Sequence, residues 1–87
     1  MIAAVIITVK IAGTNQQHDM ELPADTPVKE LAPKLLMALK NIESKLFLGV
    51  ERIKILFDSE NRYLLDRETL MSAGVWDGGT ITVERVV

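Results

Sequence analysis

The sequence predicts an α+β fold, in which one helix packs across a mixed sheet and the elements follow the order β-β-α-β-β-β. Three observations predict it. β-branched residues alternate with period two near both ends of the chain, one intervening segment has helical period, and polar Gly-containing clusters separate the periodic runs. The chain has 87 residues, room for one domain, and residues 1–87 are read as a single unit. A chain this short buries roughly 60 to 65% of the surface its unfolded form exposes, so one small core must hold it. With 48% hydrophobic and 25% charged residues it falls on the globular side of the boundary with disorder.

The first element lies in "MIAAVIITVKIAG". Its apolar character invites a membrane or signal-peptide reading, but no basic segment precedes it and Thr8 and Lys10 interrupt it. It is also far shorter than the roughly 20 apolar residues a spanning helix needs. Val5, Ile7, Val9 and Ile11 alternate with Ile6, Thr8 and Lys10, which predicts a strand with one face in the core. "GTNQQ" supplies a turn, and "HDMELPAD" a second strand with Met20 and Leu22 on one face, so the first two strands form a hairpin.

At "ADTPVKELAPKLLMALKNIESK" the period changes. Val28, Leu31, Leu35, Leu39 and Ile42 recur at steps of three and four, with Ala32, Ala38 and Leu46 filling the same stripe. Thr26 is the expected N-cap, with Pro27 at the first helical position, where a missing N–H costs nothing. Pro33 lies inside the helix and removes one hydrogen bond, which predicts a kink or a displaced first turn.

Beyond Gly49, "ERIKILF" alternates again, with Ile53, Ile55 and Phe57 opposite Lys54 and Leu56. "DSEN" is a polar turn, "RYLL" a short fourth strand, and "TITVERV" a last strand with Ile81 and Val83 facing inward.

Composition excludes several functions. Ten Lys and Arg against twelve Asp and Glu, interspersed, give a net charge of −2 and no basic stripe for nucleic acid. Without Cys there is no disulfide framework, thiolate metal site or nucleophilic thiol. His18 is the sole histidine, and Ser59 and Ser72 have no base near them in sequence, so no catalytic residues are assigned. His18 is expected to be a solvated side chain on a strand edge. Asp58, Glu60, Asp66 and Glu68 lack the spacing and fixed Gly of a Ca²⁺ loop and are read as solvated turn acids. No metal or cofactor is expected.

A hairpin, a helix across it and further strands joining the same sheet resemble the β-grasp architecture of ubiquitin. The run "YLLDRETLMSAGVWDGGTITVERV" makes the resemblance specific, with Leu64, Thr69-Leu70, Gly74-Val75, Gly78 and Thr80-Ile81-Thr82-Val83 at the pattern's positions. "DTPVKEL" resembles the start of the ubiquitin helix. Conjugated modifiers and sulfur carriers of that family end in a flexible Gly-Gly. Here Gly78-Gly79 precedes the last strand and is read as hairpin punctuation, and the chain closes on "ERVV". Within the fold the chain resembles the bacterial YukD-like (EsaB-like) proteins of type VII secretion, in its length, its helix opening Pro-Val-Lys and its ending on the last strand. That resemblance implies a non-conjugating interaction module in the cytoplasm, with secretion-apparatus proteins as partners and no membrane insertion of its own. The alternative is a modifier or sulfur carrier whose Gly-Gly tail is missing.

Ubiquitin is recognised through an aliphatic patch on the outer face of its last strands, and the corresponding positions here, Lys54, Thr82 and Glu84, are polar. Ile6, Leu56, Val86 and Val87 are expected to leave a small apolar strip, which serves either as a partner site or as a homodimer edge. Trp76, the sole tryptophan, either caps the core beneath the last hairpin or stands out as an interaction anchor. The candidate partner-binding residues are therefore Ile6, Leu56, Trp76 and Val86.

Overall fold

The computed structural model describes residues 4–86; the expectations at the first three residues and at Val87 lie outside the described residues. Strands β1 (Ala4–Ile11), β2 (Gln17–Pro23), β3 (Arg52–Phe57), β4 (Arg62–Tyr63) and β5 (Thr80–Val86) form one sheet in the order β2-β1-β5-β3-β4. Helix α1 (Val28–Ile42) packs across it, and a short α2 (Leu70–Ala73) precedes β5. β1 pairs antiparallel with β2 and parallel with β5, which is antiparallel to β3; the sheet is mixed, as the β-grasp order requires.

The alternation read from the sequence places the core. Val5, Ile7, Val9 and Ile11 of β1, Ile81 and Val83 of β5, and Ile55 and Phe57 of β3 are buried beneath Val28, Leu31, Leu35 and Leu39 of α1. Ile42, expected on the helical stripe, is half exposed, and Leu36 takes up buried area instead. Leu36 follows Leu35 by one residue, so the apolar face is wider than the three-four spacing implied.

Two core residues come from the least regular part of the chain. Phe47 and Val50, in the turns between α1 and β3, are buried. Arg85 occupies an inward-facing position at the end of β5 and donates to the carbonyls of Leu46 at 3.0 Å and Ala12 at 3.4 Å. It ties that loop to the β1–β2 turn and keeps its charge at the core's edge, where it is paired with carbonyl dipoles.

The start of α1 differs from expectation. Thr26 makes no cap; Pro27 is the N-cap residue and offers no side-chain bond. The first four helical amides are satisfied by backbone carbonyls. Val28 N–H donates to Glu68 O and Lys29 N–H to Asp66 O, while Glu30 and Leu31 both donate to Pro27 O. The cap therefore comes from a loop some forty residues later. Pro33 lies inside a helix that runs through it as one element.

Arg62 holds that capping loop. Its guanidinium donates in parallel to both oxygens of Glu68 at 2.9 Å, and its Nε to Glu60 at 2.7 Å; Glu68 also accepts the Leu65 N–H. These bonds hold the Glu68 carboxyl at about 2, through Arg62 first and the Leu65 amide second. Asp58 accepts the Thr82 hydroxyl at 2.6 Å and faces Lys10 at 3.7 Å. Of the four acids read as solvated, Asp58, Glu60 and Glu68 are thus structural: Asp58 meets Thr82 and Lys10, distant in sequence, while the turn into β4 sets Arg62 between Glu60 and Glu68. His18 is also engaged rather than solvated: it is part-buried, and its Nε2 lies 2.7 Å from Glu43 Oε2, joining β2 to the end of α1.

Helix α2 is a further departure. The sequence pattern assigns no helix to residues 69–73. In the structure Thr69 and Ser72 cap reciprocally, each side chain accepting the other's backbone N–H, and Gly74 closes the helix at φ +87°.

Candidate interaction surface

The outer face of the sheet carries Ile6, Thr8 and Lys10 from β1, Thr80, Thr82, Glu84 and Val86 from β5, and Lys54 and Leu56 from β3. Its centre is polar. Lys54 stands opposite Glu84 in the β3–β5 register, and its Nζ lies 5.3 Å from the centre of the Tyr63 ring. The Tyr63 hydroxyl donates to Glu84 at 2.7 Å, and the carboxylate beside it raises the phenol's pKa. This network occupies the area that is aliphatic in ubiquitin.

Ile6, Leu56 and Val86 do not form the expected strip. Thr8 is level with Thr80, which puts Ile6 level with Gly78, whereas Val86 pairs with Arg52 at the far end of β5. Those eight residues of strand correspond to about 26 Å. Leu56 lies between, flanked by Thr82 and Tyr63, and both it and Val86 are part-buried. Strand alternation shows which face a residue takes; how far apart same-face residues lie is set by the pairing register.

Register instead places Ile6 beside the loop that bears Trp76. Ile6 N–H donates to the Asp77 carboxylate at 2.7 Å, and Ile6 O accepts the Gly78 N–H at 2.9 Å. The next bond along β1 runs from Thr8 N–H to Gly79 O, also 2.9 Å. Gly79 N–H returns to Trp76 O at 2.8 Å, and Gly78, at φ +82°, occupies the position of a type II turn that needs positive φ. At Gly79 a Cβ would lie 2.9 Å from Trp76 O.

The loop is therefore bonded to β1 on both sides of the diglycine. Trp76 is 48% exposed and Ile6 55%. Between the two readings of Trp76, the ring stands half out of the core on a fixed support. It also lines an open trough of 790 Å³ with Lys10, Asp58, Asp77 and Thr80. The diglycine is a turn, as expected, but not a hairpin turn: it joins α2 to β5, and β5 pairs with β1 and β3. Among the described residues no three His, Asp or Glu side chains gather as a metal site would require.

Residues 6–83 match the family profile described as "WXG100 protein secretion system (Wss), protein YukD". The chain belongs to the YukD family. No curated protein matches it. Among solved structures, this YukD-family chain is similar to the ubiquitin-like domain of EccD5 from Mycobacterium xenopi, with a TM-score of 0.75 at 19% identity over 95% of this chain and 94% of that one. The ubiquitin-like domain of the Mycobacterium tuberculosis type VII secretion protein EccD1 gives 0.75 at 20% identity, covering 95% and 99%. A chain of an ESX-5 inner membrane complex gives 0.77 at 22%, covering 99% of this chain and 22% of its own length. At these identities the likenesses establish the ubiquitin-like fold of this YukD-family member. Among its described residues no helix is long and apolar enough to cross a membrane.

Sequence reading singled out Trp76 and Ile6 but missed Asp77, whose carboxylate holds the two together. No local signal could have found it, because the Asp77 carboxylate bonds the amide of Ile6, 71 residues away in sequence, rather than an amide of its own turn. Arg62 was missed because a lone basic residue among turn acids has no fixed spacing that shows which of them it will pair with; here it pairs with Glu60 and Glu68. Leu48, in the turns after α1, is 86% exposed.

Proposed function

We propose that this YukD-family protein is a non-conjugating interaction module, a cytoplasmic accessory of a type VII secretion system that acts by presenting the Ile6–Trp76 end of its outer face to a protein of that apparatus. The observation that carries this reading is the half-exposed Trp76 ring on a loop held to β1 by backbone and carboxylate hydrogen bonds. A rigidly supported aromatic loses little conformational entropy on docking, which is why tryptophan is over-represented at energetic centres of interfaces. The recurrence of the fold in an ESX-5 inner membrane complex supports a partner within such machinery. Nothing in the reading requires catalysis, and Gly78-Gly79, bonded into the sheet, is unsuited to activation.

The test is co-purification of secretion components from the native host with wild type, Trp76→Ser and Ile6→Ser, each first shown to be folded by thermal melting. Leu48→Ser serves as an exposed control on the loop after α1. Loss of the same partner from Trp76→Ser and Ile6→Ser, with retention by Leu48→Ser, is expected. Folded Trp76→Ser and Ile6→Ser variants that keep every partner would exclude this surface.

A further inference from the structure

The open edge of β3 is a separate feature. β4 covers only part of it, pairing at Leu56↔Tyr63 and Phe57↔Arg62, after which Leu64 N–H donates to Ile55 O and the chain turns away to cap α1 through Asp66 O. Residues of an antiparallel strand turn their backbone groups alternately to either side. Ile55 faces β4, so Ile53, two residues earlier, faces the same way, and among the described residues no strand lies there to receive its N–H and C=O.

Beneath this edge lies a groove of 490 Å³, lined on one side by Val28, Ala32 and Leu36 of α1 and on the other by Ile53, Ile55 and Leu64. Pro33 is at its rim and has no N–H for the carbonyl of Lys29, also at the rim, so the helical wall carries an acceptor deprived of its usual donor. Apolar floor and unpaired backbone edge thus occur together.

We propose that the β3 edge at Arg52–Lys54, with this groove, is a strand-addition site for an extended segment of a partner protein, apolar at alternate positions and acidic at its flanks. The added strand continues the line that β4 abandons, exchanging hydrogen bonds with Ile53 and placing a side chain between Ala32, Leu36 and Leu64. The charges select the occupant. Lys29, Arg52 and Lys54 line the groove against Glu51 and Asp66. A second copy added antiparallel about Ile53 would set Arg52 directly opposite Lys54 twice over, and like charges facing across strands are destabilising. An acidic flank meets the same two cations favourably.

The probe is a fluorescein-labelled synthetic peptide in which Val, Ile and Leu alternate with Thr between paired aspartates, titrated by anisotropy and by amide NMR spectra of the full chain. Saturable binding is expected, with shifts centred on Ile53, Ala32 and Leu36 and slowed exchange of the Ile53 amide. Ile53→Pro removes the edge donor while sparing the β3–β5 ladder, and is expected to weaken binding by about tenfold or more. Ala32→Arg, which fills the groove without touching the strand, gives the same loss should the proline variant fail to fold. Trp76→Ser leaves peptide binding unchanged, so this result is independent of the surface under Proposed function. No saturable binding at millimolar peptide, binding indifferent to Ile53→Pro and Ala32→Arg, binding lost with Trp76→Ser, or a concentration-dependent dimer formed through Ile53 would each overturn the proposal.

Discussion

The guanidinium of Arg62 meets the carboxylate of Glu68 through two parallel hydrogen bonds of 2.9 Å, and the backbone carbonyl of the same Glu68 accepts the first amide of α1. One residue thus links β4 to the start of the helix. The side chain fixes the loop, and the fixed loop supplies the cap that Thr26 does not.

This link makes acid stability sensitive to Glu68. Its folded-state value of about 2 lies below the ordinary 4.5, so between those values the unfolded chain binds more protons and stability rises with pH. The contribution is complete above pH 4.5 and is lost as pH falls towards 2. In Glu68→Gln that dependence disappears. Denaturant midpoints of wild type and variant are expected to differ most near neutrality and to converge through this window. A difference independent of pH would mean that the carboxylate charge is not what holds the loop.

Core substitutions separate buried from solvent-facing helix positions. Leu35 is almost wholly buried, and Leu35→Ala is expected to cost about 2 to 5 kcal/mol, whereas Lys40→Ala stays within about 0.5 kcal/mol. Phe47→Ala, in the loop after α1, is expected to cost about 3 to 5 kcal/mol, as much as a site on a regular element. Urea titrations measure all three, and a Phe47 cost near that of Lys40 would remove the loop from the core.

The two glycines of "WDGG" differ in what they tolerate. Gly78→Ala forces a Cβ into the left-handed region and is expected to cost about 1 to 2 kcal/mol. Gly79→Ala places its Cβ 2.9 Å from Trp76 O and 3.3 Å from Val75 Cγ1, an overpacking expected to cost about 1 to 3 kcal/mol. Both are read from thermal or chemical melts. Two neutral substitutions would imply that the turn is not held as described.

Trp76 reports on its own surface. As the only tryptophan, and 48% exposed, it is expected to emit at long wavelength and to be quenched readily by acrylamide in the free protein. Docking of a captured partner should shift emission to the blue and reduce quenching. Unchanged emission in a purified complex would place the contact elsewhere.

The sequence by itself determined the long strands, helix α1 and the main apolar face of each, because those properties are local and repeat every two or 3.6 residues; the short α2, with no such repeat, was not legible. Val5, Ile7, Val9 and Ile11, Val28, Leu31, Leu35 and Leu39, and Ile81 with Val83 are buried as their spacing demanded. The polar centre of the outer face and the turn role of Gly78-Gly79 were legible for the same reason. Tertiary structure decided what depends on closure of the chain. Backbone carbonyls from residues 66 and 68 cap α1, Arg62 gathers two acids, and Glu43 engages His18, none of them adjacent in sequence. Register decided the candidate site, separating Ile6 from Leu56 and Val86 and joining it to Trp76 through Asp77. Periodicity fixes the direction in which a side chain points, but distances between side chains on one face are set only when the strands pair, and pairing is a property of the folded sheet.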